Sequence, residues 1–226
     1  MNNCFWSAAR KQVAVLTLTV SEDEDLALIN PKKREVQVKI VYYGPGRGGK
    51  TTNLEYINRK FKKRILNEMV TVKTYGDRTL FFDFLPFDMG EIKGHSIKIQ
   101  LYTVPGQVKY NATRRLVLRG VDGIVFVADS MDLRREMNIR SLHNLKENLE
   151  SFNKNMSNIP LVMQYNKRDL SEEGIPILSL ETLQKDLNSQ LNAPYFQASA
   201  VSGDNVTATM KKIIALTVSS LRKKLE

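Results

Sequence analysis

Gly44-Pro45-Gly46-Arg47-Gly48-Gly49-Lys50-Thr51 follows a run of β-branched and aromatic residues, Val36-Gln37-Val38-Lys39-Ile40-Val41-Tyr42-Tyr43, and leads into Thr52-Asn53-Leu54-Glu55-Tyr56-Ile57, which has helical spacing. The eight residues fit G-x-x-x-x-G-K-[ST], and strand, loop and helix in that order are the setting the pattern requires. Glycines let the backbone turn its N–H groups inward and approach phosphate oxygens closely. The start of the following helix adds unpaired donors and the positive end of its dipole. The reading predicts a phosphate cradle of Gly44, Gly46, Arg47, Gly48 and Gly49, with Thr52 behind it. Lys50 then reaches the β- and γ-phosphates. The Thr51 hydroxyl is offered to Mg²⁺, an ion that keeps several waters and takes few protein oxygens.

With 226 residues, 42% of them hydrophobic, the chain can bury one substantial core. The expected division is an N-terminal extension over 1–34 and a single domain over 35–226. One cysteine, Cys4, allows no intrachain disulfide and no thiolate cluster for a metal, which points to a reducing, cytoplasmic compartment. No run of eighteen apolar residues occurs, so no membrane span is expected. Val13 to Val20 is apolar and follows Arg10-Lys11, a faint likeness to a signal peptide. It is short, rich in threonine and followed by Glu22-Asp23-Glu24-Asp25 instead of a small-residue cleavage site, so it reads as an added strand or a partly ordered arm. Asn2 and the C-terminal Leu225-Glu226 encode neither myristoylation nor prenylation, so no membrane anchor is expected. The net charge is +10, with clusters at Lys32-Lys33-Arg34, Arg59 to Arg64 and Arg222-Lys223-Lys224. These fit solvated helix faces as well as an anionic partner. Without an RNA-binding or helix-turn-helix signature, no nucleic-acid role is expected.

Beyond the first strand and helix the pattern alternates. Leu80 to Phe87 and Ser96 to Thr103 read as two strands of a hairpin, separated by Gly90 and Gly94. Residues from about Lys109 to Leu118 look helical, and Gly123 to Asp129 is the continuous apolar run of a buried strand. A helix is expected from Arg134 to Ser151, a strand from Pro160 to Tyr165, a helix from Leu180 to Leu191, a short strand from Tyr195 to Ala198 and a final helix from about Val206. The predicted fold is an open α/β sheet, mostly parallel with one antiparallel strand, helices on both faces and the ligand beyond the carboxyl ends of the strands.

A phosphate loop does not distinguish adenine from guanine. Asn166-Lys167-Arg168-Asp169, at the end of a predicted strand, resembles the N-K-x-D guanine-recognition element of small GTPases. In that resemblance Asp169 accepts from the guanine N1 and exocyclic amine, a donor pair adenine lacks. Two charge-assisted hydrogen bonds at about 1.5–3 kcal/mol each supply several decades of discrimination. By the same resemblance the stem of Lys167 covers the base and Asn166 ties the loop to its neighbours. Ser199, Ala200 and Val201 lie in the segment that resembles the fifth GTPase element, where the Ala200 N–H meets the guanine carbonyl; the family often has lysine where this chain has Val201.

The resemblance narrows with Tyr42 to Gly46, Lys50 to Leu54, Arg78 to Pro86, Leu101 to Val108, Gly120 to Gly123 and Asn166 to Leu170, which look like the MglA-type, Ras-like small GTPases of bacterial gliding motility and cell polarity. It covers about Arg34 to the C-terminus. Most Ras-like proteins carry D-x-x-G as the third element, the Asp holding Mg²⁺ through water, whereas this chain has Thr103-Val104-Pro105-Gly106. That departure is typical of the MglA type. It shifts support for the metal to Thr51, the phosphates and Asp83, although a strand aspartate fits a solvent-facing position equally well. Gly106 and Gln107 match the glycine and the glutamine that orients the attacking water. By the same resemblance Arg78 is an arginine finger supplied in cis, against the plainer reading of a surface arginine, and Thr79 binds Mg²⁺ and the γ-phosphate. An arginine finger is worth roughly 10³–10⁵ in rate.

The resemblance implies a GTP/GDP switch with slow hydrolysis, dependent on Mg²⁺ and monomeric alone. It implies a roadblock-domain activating protein (MglB-like) and polarity or motility effectors as partners, and a cytoplasmic location that can be polar. Two other readings stay open at this point: a nucleotide-dependent scaffold with negligible hydrolysis, motivated by Thr103, and an ATP-using P-loop kinase or ATPase.

Overall fold

The computed structural model describes residues 28–30, 35–66, 69–72, 82–92, 95–107 and 110–225. Its strands are β1 (Leu28–Asn30), β2 (Glu35–Tyr43), β3 (Val70–Val72), β4 (Phe82–Ile92), β5 (His95–Thr103), β6 (Gly123–Asp129), β7 (Leu161–Asn166) and β8 (Tyr195–Gln197). They form one sheet in the order β3-β4-β5-β2-β6-β7-β8, with β1 paired antiparallel to the start of β2. The pairs of β2 with β5 and β6, of β6 with β7, and of β7 with β8 are parallel. β4 runs antiparallel to both its neighbours, as the hairpin reading requires.

The helices are α1 (Lys50–Lys60), α2 (Asn111–Leu118), α3 (Arg135–Glu150), α4 (Leu180–Leu187) and α5 (Val206–Leu225). β6 and β7 are buried along their whole length, which is why they read as unbroken apolar runs. Ile40, Ile99, Val125 and Val162 pack with Leu54 and Ile57 of α1 and Met210 and Ile213 of α5. Val41, Phe126 and Met163 pack with Val117 of α2, Leu145 and Leu149 of α3 and Leu183 and Leu187 of α4. Alternate residues of neighbouring strands thus feed two cores, one on each face of the sheet. Each fully buried side chain of this size contributes roughly 1.5–3 kcal/mol.

β1 and β3 were not legible as strands: each is three residues long, too short for a period to show. β1 lies inside the span assigned to the extension. The arm expected at Val13 to Val20 and the thiol of Cys4 fall outside the described residues. Pro86 sits in β4 beyond the reach of β3, and its carbonyl accepts from the Leu66 N–H at 3.3 Å. α4 ends at Leu187 and not at Leu191, because Asn188 turns the chain. Its side chain donates to the Ala193 carbonyl and accepts from the Ala193 N–H, both at 2.9 Å.

The carboxyl ends of β2, β5, β6 and β7 deliver Gly44, Val104, Ser130 and Lys167 to one edge of the sheet. The phosphate loop, the third element and the guanine element meet there. Among the described residues no helix is long and apolar enough to cross a membrane.

Candidate nucleotide-binding site

The loop from Gly44 to Gly49 closes through a hydrogen bond from the Gly48 N–H to the Pro45 carbonyl, 3.3 Å, and α1 begins at Lys50. The Lys50 ammonium is buried at 6% exposure and donates to the Gly44 and Pro45 carbonyls at 3.1 and 2.6 Å. Burial holds its pKa down to about 7; Arg114 and Arg134 push the same way, and Asp83 opposes them. Lys50, Arg114 and Arg134 thus converge on the loop, with the Asp83 and Asp129 carboxylates as their nearby counter-charges. That suits a polyanion.

Gly49 is required for two reasons. Its φ is +94°, and a β-carbon there would lie 2.2 Å from Asn166 Nδ2. Gly106 is required by close approach alone: its β-carbon would lie 2.1 Å from Gly46 Cα. The third element thus rests directly on the phosphate loop, and Gln107, exposed to solvent, stands beside it. Arg47, at the tip, is exposed and has φ +62°, the left-handed region.

Asp83 is not solvent-facing. It is 5% exposed, and its Oδ2 accepts from the Thr51 hydroxyl at 2.6 Å and from the Thr103 hydroxyl at 2.9 Å. The Asp83 N–H also donates to Thr103 Oγ1 at 2.9 Å. A carboxylate from the adjacent strand thus stands beside the third element, anchored by Thr103. Among the described residues no group of three His, Cys, Asp or Glu side chains could hold a metal alone. A divalent ion here would need the Thr51 hydroxyl, the Asp83 carboxylate and ligand oxygens together, a hard-oxygen set that suits Mg²⁺.

On the base side, Asn166 locks three segments together. Its Nδ2 donates to the Gly48 carbonyl and its Oδ1 accepts from the Ala200 N–H, both at 2.8 Å. Asp169 Oδ1 is buried with no hydrogen-bond partner, an orphaned acceptor of the kind a donor-bearing base edge would satisfy. Ser199 and Ala200 are buried beside Asn166, and Ser199 Oγ accepts from the Ser202 N–H at 3.3 Å. Val201 is 74% exposed, so its side chain packs against nothing here. Lys167 takes φ +69° and extends its ammonium to Asp129 Oδ2, 2.8 Å.

Sequence reasoning missed Arg114. This α2 residue is fully buried, and its guanidinium donates to Pro105 O (2.8 Å), Gly44 O (3.1 Å), Gly106 O (3.3 Å), Asn144 Oδ1 (2.5 Å) and Ser141 Oγ (3.2 Å), while lying 4.6 Å from the Tyr43 ring centroid. Those acceptors are all neutral, and burial lowers its pKa. The only sequence signal was an arginine on the helix face that otherwise buries Val117 and Leu118. Thr52 lies partly buried in the first turn of α1. Arg78 and Thr79 lie outside the described residues.

Comparison with known proteins gives the family. The Ras family model matches residues 39–219. The chain is 48% identical over 198 residues, 88% of its own length and 99% of the relative's, to the mutual gliding-motility protein MglA of Myxococcus xanthus. It is 26% identical to the Ras-related protein RABG3d of Arabidopsis thaliana, over 80% of this chain and 82% of that one. It is 25% identical to human Ras-related protein Rab-9A, over 78% and 80%.

Proposed function

This chain belongs to the Ras family as an MglA-type small GTPase that binds guanine nucleotide and hydrolyses GTP, and on that premise we propose that it is a slowly turning switch in bacterial cell polarity or gliding motility. The observation that carries the reading is Asn166, which joins the phosphate loop, the guanine element and the segment around Ala200 in one hydrogen-bonded unit.

In this reading the nucleotide lies along the carboxyl edge of the sheet. Asp169 accepts from the base, Lys167 flanks it, and the Ala200 N–H is presented beside it. At the other end the loop N–H groups and Lys50 take the phosphates, Lys50 leaving the loop carbonyls that hold it. The Thr51 hydroxyl and Asp83 carboxylate, with Thr79, would hold Mg²⁺, which supplies charge neutralisation between the phosphates. Gln107 orients the attacking water by its amide, since phosphoryl transfer needs positioning and charge stabilisation more than a strong base. Arg78 is assigned as the arginine in cis. With the arginine already in the chain, a roadblock-domain activator acts by ordering the segments that carry Arg78 and Gln107. The name of the Myxococcus relative supports a motility role, and a cytoplasmic, polar location follows from the same reading.

The test combines competition of GDP, GTP and ATP for one site in Mg²⁺ with phosphate release measured with and without a roadblock-domain protein. The expected result is strong preference for guanine and slow release that the partner accelerates. Equal affinity for ATP would overturn the reading of Asp169.

A further inference from the structure

Arg134 is a cation at the phosphate loop to which the reading above gives no task. It ends a short 3-10 turn, Asp132–Arg134, and caps the start of α3. Its Nη2 donates to the Gly46 carbonyl at 2.5 Å, across 88 residues of sequence. Its Nε stands 3.6 Å from Asp129 Oδ2, within ion-pair range, and that same oxygen receives Lys167 at 2.8 Å.

Asp129 is fully buried and held from several sides. Its N–H and carbonyl are both taken by the Asn138 amide, at 2.9 and 2.8 Å, and its Oδ1 accepts from the Met131 N–H at 3.1 Å. The segment that presents Arg134 is equally fixed: Leu178 N–H donates to Ser130 O, Asp132 N–H to Pro176 O, and Arg134 N–H to Met131 O, at 2.7, 3.1 and 2.9 Å. One buried carboxylate on a rigid mount thus holds two cations. One belongs to the base element, the other grips the phosphate loop.

The grip falls on an informative peptide. The unit joining Gly46 to Arg47 is planar and trans, so its C=O and N–H point in opposite directions. While Arg134 holds the carbonyl, the Arg47 N–H must face the other way. Arg47 sits at φ +62°, a region an L side chain seldom adopts and leaves when nothing holds it. A flip of this peptide would remove one donor from the cradle.

We propose that Arg134, backed by Asp129, is a positioning residue that latches the Gly46–Arg47 peptide and thereby sets how fast bound nucleotide leaves. The proposal rests on the reading that the nucleotide lies between the phosphate loop and residues 166–169. Through their shared carboxylate, the latch and the base element support one another.

The test is dissociation of a fluorescent GDP analogue chased by excess unlabelled GDP in Mg²⁺. Loss of one charge-assisted hydrogen bond predicts that Arg134→Ala releases nucleotide about tenfold faster or more. Arg135→Ala is the control for charge alone, because its guanidinium pairs with Asp186 on the exposed face of α3; its release rate should stay within about twofold of the parent. Arg134→Lys keeps the charge beside Asp129 but loses the fork, and should fall between parent and Arg134→Ala. A rate for Arg134→Ala within about twofold of the parent overturns the proposal, as does equal acceleration by Arg135→Ala. If Arg134→Ala does not fold, Arg134→Lys decides by the same twofold criterion. Competition of GTP with ATP on the parent protein tests the base site separately, so failure there is distinguishable from failure of the latch.

Discussion

Asp83 and Thr103, neighbours across β4 and β5, hold each other twice: the Thr103 hydroxyl donates to the Asp83 carboxylate while accepting from the Asp83 N–H, both at 2.9 Å. The pair places a buried carboxylate beside a third element that has none of its own. Asp83→Asn should raise the Mg²⁺ concentration needed for half-maximal nucleotide retention about tenfold, as expected when one charge leaves a hard-cation site. Titrating Mg²⁺ against the GDP release rate checks this. An unchanged midpoint would return Asp83 to a purely structural role.

Lys50 sets a pH dependence. Its pKa stands near 7 because of burial, with Arg114 and Arg134 adding to the effect. Phosphate oxygens would raise it again, so binding takes up a proton wherever the free protein holds Lys50 neutral. Affinity should therefore weaken as pH rises above about 7, by at most about tenfold per unit. Isothermal calorimetry at pH 8 in two buffers of different ionisation enthalpy should report that uptake. The stability of the nucleotide-free fold moves the opposite way. The unfolded chain binds more protons than the folded one between about pH 7 and 10.5, so this contribution favours folding increasingly across that window.

Arg114→Met should cost roughly 3–5 kcal/mol, because the Pro105, Gly44 and Gly106 carbonyls and the Asn144 amide oxygen each lose a buried donor. Thermal denaturation of the nucleotide-bound protein measures this. A change within about 1 kcal/mol would mean the neighbouring polar groups re-pair without it.

If the exposed Gln107 amide orients the attacking water as proposed, Gln107→Leu should lower single-turnover GTP hydrolysis by on the order of a hundredfold while leaving GDP affinity within about threefold. Hydrolysis at the parent rate would remove Gln107 from the mechanism.

The sheet was legible because its central strands are long and buried. Gly123 to Asp129 reads as a strand from its unbroken apolar run, and every residue in it is buried. The phosphate loop and guanine element were legible because their chemistry restricts residue type at fixed spacing. Asp83 was ambiguous for a definite reason: alternation in β4 says which face a side chain takes but not whether a hydroxyl from β5 waits there. Arg114 and Arg134 were invisible because the acceptors that define them are backbone carbonyls, and any residue offers one. β1 and β3 were missed because three residues are too few to display a period.

Asn166 fills the space that a side chain at position 49 would need, and its amide holds Gly48. The phosphate loop and the guanine element are therefore one interlocked piece, although its parts lie more than a hundred residues apart in sequence. Inheritance should treat that piece as a single character. Losing Asn166 would loosen the phosphate loop as well as the base element, so a change of base would have to leave that residue in place. Variation between descendants should accumulate in the regulators they answer to, while the letter they read stays fixed.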